Sequence, residues 1–223
     1  YLPDDYRADM VGVNPVKTVH IQGSGNRDDP VAETRWLQGL NKDHGMPNGI
    51  VGFAPLDQPE AEAVLAAQCE HPLMRGIRYI VAWHSDARFN FNERDDLMRD
   101  AAWRTGFALL GKYSLSFDLM LFPSQLGDAL DLATAFPATQ IILNHTGSPV
   151  DRDVAGMARW RDGMRALAAA PNVAVKISDL CAYDHDWTVD SFRPIILDTI
   201  EWFGVPRCMF ASDLPVVALH GRA

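Results

Sequence analysis

Cysteine is scarce. The 223 residues contain three (Cys69, Cys181 and Cys208), far apart and without CxxC spacing. That excludes a disulfide framework or a zinc knuckle and reads as reduced, mostly buried thiols of a cytoplasmic protein. No apolar run is long enough to span a bilayer, and no signal-peptide pattern is present. Positive charge is in the minority, 20 Lys and Arg against 29 Asp and Glu, for a net charge of −9. Such a chain is a poor partner for nucleic acid or an anionic membrane. A homo-oligomer is compatible with this composition but not indicated by it. Neither GxGxxG nor GxxxxGK[ST] follows any apolar run, so the usual nucleotide-binding readings lack their signature. GxSxG is missing too, and with it any support for an acyl-enzyme mechanism.

What is present is enough apolar material, 48% of the residues, for one sizeable core. No linker, low-complexity tract or composition shift divides the chain, so residues 1–223 read as one domain. Tyr1–Pro15 is polar and reads as irregular. Seven short apolar runs then read as strands: Val16–Ile21, Ile50–Ala54, Arg75–Trp83, Leu115–Leu121, Thr139–His145, Asn172–Ser178 and Cys208–Ala211. The first is stopped by Gln22–Asn26. Between the runs lie helical periodicities that open at Pro30 and Pro59 and then cover Glu93–Gly111, Ser124–Phe136, Asp153–Ala170 and Ser191–Phe203.

Strands alternating with helices mean βα units and a parallel sheet. Polar residues close nearly every strand, as in a barrel whose whole C-terminal rim carries chemistry; an open sheet needs only its switch point. The expected fold is therefore a distorted (β/α)8 TIM-like barrel. With seven strands, the first strand unit and the last helix are expected to lie outside this chain.

Seven strand-end side chains are candidates for chemistry: His20, Arg78, His84, Asp118, His145, Lys176 and Asp213. Asp213 follows the last strand in Ala-Ser-Asp-Leu-Pro, where it either caps a turn or faces the cleft. His145 precedes the break Thr146-Gly-Ser-Pro149. His20 and His84 either face a ligand or bond neighbouring carbonyls. Asp118 lies inside an apolar strand and needs a partner, Lys176 or Arg78, as a structural pair or as part of a substrate contact. Lys176 has the rarer reading of a Schiff-base lysine. His185, between two acids in Tyr183–Asp186, reads as a solvated loop residue or part of a lid. A histidine and a carboxylate across a barrel mouth suit activation of water, with Arg78 and Lys176 holding an anionic group.

The segments Val19–Gln22 (VHIQ), Arg75–Arg78 (RGIR), Ser116–Leu119 (SFDL), Leu143–Pro149 (LNHTGSP), Val175–Ser178 (VKIS) and Phe210–Val216 (FASDLPV) resemble the amidohydrolase-2 family. More narrowly, they resemble its sugar-lactone and muconolactone-type hydrolases, over nearly the whole chain and in order. The resemblance implies a distorted barrel with an aspartate after the last strand as general base or metal ligand, a position that Asp213 matches. His145 matches the family's histidine after a middle strand, while Arg78 and His84 lie where relatives contact substrate. The family's HxH pair on strand 1 has no counterpart here. The resemblance leaves metal use open: Asp213 and His145 would hold a divalent zinc or manganese if one is bound, and some relatives act without metal.

The resulting expectation is a hydrolase that opens a small carboxylated lactone. Asp213 and His145 are its catalytic residues, and Arg78, His84, His20, Asp118 and Lys176 its substrate contacts. The alternatives are a metal-dependent decarboxylase of an aromatic or unsaturated acid and a non-catalytic small-molecule binder.

Overall fold

The computed structural model describes residues 1–23 and 26–221. The break expected at Gln22–Asn26 therefore falls partly outside the described residues. Seven strands are present among those residues: β1 (Val19–Ile21), β2 (Gly49–Gly52), β3 (Met74–Ile80), β4 (Ser116–Met120), β5 (Ile141–Leu143), β6 (Val173–Ile177) and β7 (Cys208–Phe210). Their order in the sheet equals their order in the chain, and β1–β2, β2–β3, β5–β6 and β6–β7 pair in parallel. An open doubly wound sheet reverses its strand order at a switch point; sequential order is that of a TIM-like α/β barrel, as the sequence pattern predicts. The helices are α1 (Pro3–Asp9), α2 (Ala32–His44), α3 (Ala61–Cys69), α4 (Ala101–Lys112), α5 (Leu126–Ala135), α6 (Val154–Leu167) and α7 (Val189–Phe203). No described helix is long and apolar enough to cross a membrane.

Two elements differ from the sequence reading. The polar N-terminus is helical: Pro3 sits in the first turn of α1 with Asp4 and Asp5, and Asp5 accepts the Leu2 N–H at 2.7 Å. Proline and acids in a first turn are N-terminal signals, and their polarity masks the element. Residues 93–100, expected to begin α4, instead form turns and a short 3-10 segment, Leu97–Arg99. There Arg94 binds the Asp96 and Asp100 carboxylates, and closely spaced aspartates offer the backbone alternatives to a helical ladder.

The chain forms two compact units. In the first (residues 1–79 and 101–118), Trp103, Phe107 and Phe117 are fully buried. Trp103 and Phe107 stack at 5.3 Å, and Phe117 meets both edge-on. Helix α4 reaches the chain after β2 through Gly106, where an added Cβ would lie 2.0 Å from the Leu56 carbonyl oxygen.

The second unit (residues 80–100 and 119–223) carries β5, β6 and β7. Arg207, just before β7, donates to the carbonyls of Phe203, Ala170, Val173 and Ala168, tying the end of α7 to the turn that enters β6. Asn172 serves the turn entering β5 in the same way, donating to the carbonyls of Ala133, Phe136 and Thr139. Several of these carbonyls lie at or just past helix C-terminal ends, where intrahelical donors run out. The two side chains also hold the strand entrances in place, so the strand exits are free to be irregular.

Gly106→Ala should lower the unfolding free energy by about 1–3 kcal/mol, the usual effect of overpacking. Gly111→Ala, on the same helix with open space around its Cβ position, should be neutral or stabilise by up to about 1 kcal/mol. Urea denaturation of both variants checks the contrast. Equal effects would mean that the close approach at Gly106 does not limit packing.

Candidate active site

The exits of β5, β6 and β7 each bring a donor side chain to the same place. His145 follows β5, Asp179 follows β6 and Asp213 follows β7, and ligand atoms from all three lie within 4.8 Å of one another. All three also occupy the left-handed region of backbone space, with φ of 51°, 50° and 54°. Non-glycine residues enter that region at a cost of about 1–2 kcal/mol each, and such strain clusters where geometry serves function. A left-handed residue two or three positions beyond a strand redirects the chain there, and the three side chains converge.

The β5 exit is built most tightly. His145, Thr146, Gly147 and Ser148 all have positive φ, and the Ser148 N–H closes back on the His145 carbonyl at 2.8 Å. Gly147 has φ 71°, and a Cβ there would come within 2.9 Å of Met164 Sδ, so both backbone and space require glycine. Trp160 of α6 donates its indole N–H to the Thr146 carbonyl at 2.8 Å. His145 is 6% exposed, and its Nδ1 lies 3.0 Å from Ser178 Oγ. That contact between neighbouring strand exits fixes the ring's orientation, as second partners of metal-binding histidines do.

The two carboxylates are mutually unfavourable as anions. Burial first, then the charge of Asp213 and a hydrogen bond with it, push the Asp179 carboxyl up to about 7. Two acids in one place separate their titrations in this way, one holding its proton into the neutral range. Burial also pushes the neighbouring Tyr183 phenol well above its ordinary range, and both aspartates add to the effect. Asp179 Oδ1 is buried with no hydrogen-bond partner. A buried carboxylate oxygen without a donor, beside a second carboxylate and an imidazole, is the donor set of a divalent-cation site. His145, Asp179 and Asp213 therefore fit a divalent metal.

Of the seven side chains expected from sequence, this cluster contains His145 and Asp213. Lys176 is buried on β6, and strand alternation places it on the same face as Ser178. His84 lies in a different network of the second unit. Its Nδ1 accepts the Asp86 N–H at 3.0 Å, so Nε2 carries the proton and donates to Asp151 Oδ1 at 3.1 Å. Arg159 holds the other Asp151 oxygen at 2.8 Å, and the ring lies edge-on to Phe89 and Phe122. Both ring nitrogens thus organise the loop after β3.

His20, Arg78 and Asp118 belong to the first unit. His20 Nε2 meets Glu33 at 2.9 Å, and Glu33 also accepts the Gly23 N–H at 2.8 Å. Burial acts to raise the Glu33 carboxyl, but these two hydrogen bonds outweigh it and hold it below its ordinary value. Arg78 donates to the Gln22 carbonyl. Asp118 is fully buried on β4.

The residue that the sequence reading passes over is Asp179. Its signal is a repeat: Ser178-Asp179 after β6 and Ser212-Asp213 after β7 place the same dipeptide at the exits of neighbouring strands.

The fold is a TIM-like α/β scaffold with a candidate donor cluster at its strand exits, and comparison with known proteins gives the family. The chain belongs to the amidohydrolase family, whose model, described as Amidohydrolase, matches residues 1–222. It is 42% identical over 216 residues to the Sinorhizobium fredii protein named "Uncharacterized protein y4mH", covering 97% of this chain and 72% of that one. It is 32% identical over 231 residues to an L-fucono-1,5-lactonase of Burkholderia multivorans, covering 98% of this chain and 73% of that one. Among solved structures it is similar to an amidohydrolase from Burkholderia multivorans with bound zinc, at TM-score 0.81 and 28% identity. That match covers 100% of this chain and 76% of the other. A putative 2-pyrone-4,6-dicarboxylic acid hydrolase from Pseudomonas putida shares the fold at TM-score 0.72 and 19% identity, over 96% of this chain and 72% of that one. The chain is thus a hydrolase of the amidohydrolase family, as the motifs imply.

The raised Asp179 carboxyl gives a pH dependence with a definite sign. The folded state binds this proton more tightly than the unfolded state, whose carboxyl titrates near 3.8. Its stabilising contribution is therefore full below about pH 4 and is lost as pH rises through about 7. After chelator treatment the chain should melt at a higher temperature at pH 5.5 than at pH 8. Asp179→Asn should flatten that difference; an unchanged slope would show that Asp179 titrates normally.

Proposed function

We propose that this protein hydrolyses a small lactone, with Asp213 and His145 as its catalytic residues and Asp179 as their partner. The observation that carries the reading is the convergence of the three donors on the exits of adjacent strands. Similarity to a protein named L-fucono-1,5-lactonase supports a lactone as the substrate class.

In this reading Asp213 takes a proton from the attacking water as its oxygen bonds to the lactone carbonyl carbon. The ring C–O bond then breaks, and Asp213 returns the proton to the departing oxygen, leaving a hydroxy acid. His145, buried and oriented by Ser178, would turn its other ring nitrogen to the carbonyl oxygen as charge develops there, or to a cation where one is bound. A divalent cation held by His145, Asp179 and Asp213, zinc or manganese, would polarise the carbonyl and lower the pKa of water. The Asp179 oxygen that lacks a donor is the natural partner for such an ion. Lys176, on the Ser178 face of β6, is the positive group nearest in sequence to the cluster. It supports the narrower reading of a carboxylated lactone, whose carboxylate it would pair with.

A panel of sugar lactones and carboxylated lactones, followed by proton release, tests the reading. Turnover should appear with at least one lactone, and Asp213→Asn should reduce kcat by about 10²–10⁴-fold, the contribution of a general base. Lys176→Met should raise KM for a carboxylated substrate while sparing a neutral one. No turnover with any lactone, or full activity in Asp213→Asn, would contradict the proposal.

A further inference from the structure

The loop that leaves Asp179 and the segment that leaves Asp213 meet again further along the chain. His185 and His220 lie face to face there, with ring centroids 4.2 Å apart and planes within 9° of parallel. We propose that this stacked pair is a latch that sets the separation of Asp179 and Asp213, making both histidines positioning residues for the cation site. The inference rests on the reading of that site given above.

The mechanical path from latch to donors is short and hydrogen-bonded on both sides. The Asp179 carbonyl accepts the Ala182 N–H at 3.2 Å, opening the 3-10 turn Leu180–Ala182. The Asp213 carbonyl accepts the Val217 N–H at 3.0 Å, opening the turn Val216–Leu219. Asp179 thus caps its turn, Asp213 lies two residues before the cap of the other, Pro215, and the two turns touch.

Beyond them the contact tightens. A Cβ at Gly221 would lie 3.2 Å from Cys181 Sγ and 3.7 Å from Trp187 Nε1. Trp187 in turn stacks on Phe192 of α7 at 5.4 Å and 9°. The β6 loop is therefore anchored on α7, and the β7 tail closes on that loop through His220 and Gly221.

The ring stack is the feature of this closure that sequence can remove without touching a donor. Neither imidazole makes a hydrogen bond among the described residues, so stacking is the role their geometry shows. When both are ionised, Asp179 and Asp213 repel each other, whereas the latch pulls their turns together. Weakening it should let the pair separate, and the cation site should loosen with it.

The test compares His220→Ala, which deletes the stack, with His220→Phe, which keeps a flat ring; His185→Ala removes the stack from the other side if His220→Ala fails to fold. Zinc affinity is read by chelator competition, and amide hydrogen exchange is read over residues 179–187 and 213–221, with a melting curve as the check on folding. His220→Ala should weaken zinc binding by about 10–100-fold, the range for residues that orient metal ligands, and should speed exchange in both segments. His220→Phe should restore both readouts.

Zinc affinity and exchange unchanged in a folded His220→Ala, or equal losses in His220→Ala and His220→Phe, would overturn the latch. If the unsubstituted chain binds no zinc, the cation reading fails and exchange alone decides. Protection lost with alanine and kept with phenylalanine would still support the latch, and no change would refute it.

Discussion

The structure around the site depends on one electrostatic constraint. Two carboxylates, Asp179 and Asp213, are held together at neighbouring strand exits where burial and mutual repulsion oppose their joint ionisation. Such a pair persists only if something neutralises it: a shared proton or a cation. Burial, then the charge of Asp213 and a hydrogen bond with it, push the Asp179 carboxyl up to about 7, so it can hold that proton near neutral pH. A cation would replace it and give the orphaned Asp179 oxygen a partner. Proton and cation would thus be alternative ways of neutralising the same pair.

Holding that pair requires rigidity elsewhere in the second unit. Left-handed backbone at His145, Asp179 and Asp213 is unfavourable at each position, so packing must over-determine it. Trp160 fixes the β5 exit through the Thr146 carbonyl. Arg207 and Asn172 fix the strand entrances by collecting loose carbonyls. Regular hydrogen bonding at one end of the strands thus offsets strain at the other, a division that suits a fold whose chemistry belongs at the C-terminal ends.

Much of the fold was legible because burial imposes periodicity on sequence. All seven strands were expected, and six of the helices, since apolar runs alternating with amphipathic stretches admit few other arrangements. The misses have local causes. Helix α1 carries capping acids in place of an apolar stripe, and residues 93–100 let aspartate side chains compete with the helical ladder. At the site, His145 and Asp213 stood out because glycine-rich or proline-marked breaks follow them. Asp179 did not: it follows a strand that ends without such punctuation, and only its repeat of the Ser-Asp dipeptide marks it. His84 shows a different limit. Its partner Asp151 lies 67 residues away, and no local pattern reports a contact made by chain return.

Amidohydrolase membership and the donor cluster meet in one claim, that His145, Asp179 and Asp213 together hold one divalent cation. Zinc titration of the chelator-stripped protein by calorimetry tests it most directly. The experiment would be run in buffers of different ionisation enthalpy and repeated with His145→Ala, Asp179→Asn and Asp213→Asn. The account predicts one zinc per chain, proton release near neutral pH as Asp179 gives up its proton, and binding weakened in each variant. Absence of binding, or binding that none of the three substitutions alters, would contradict it.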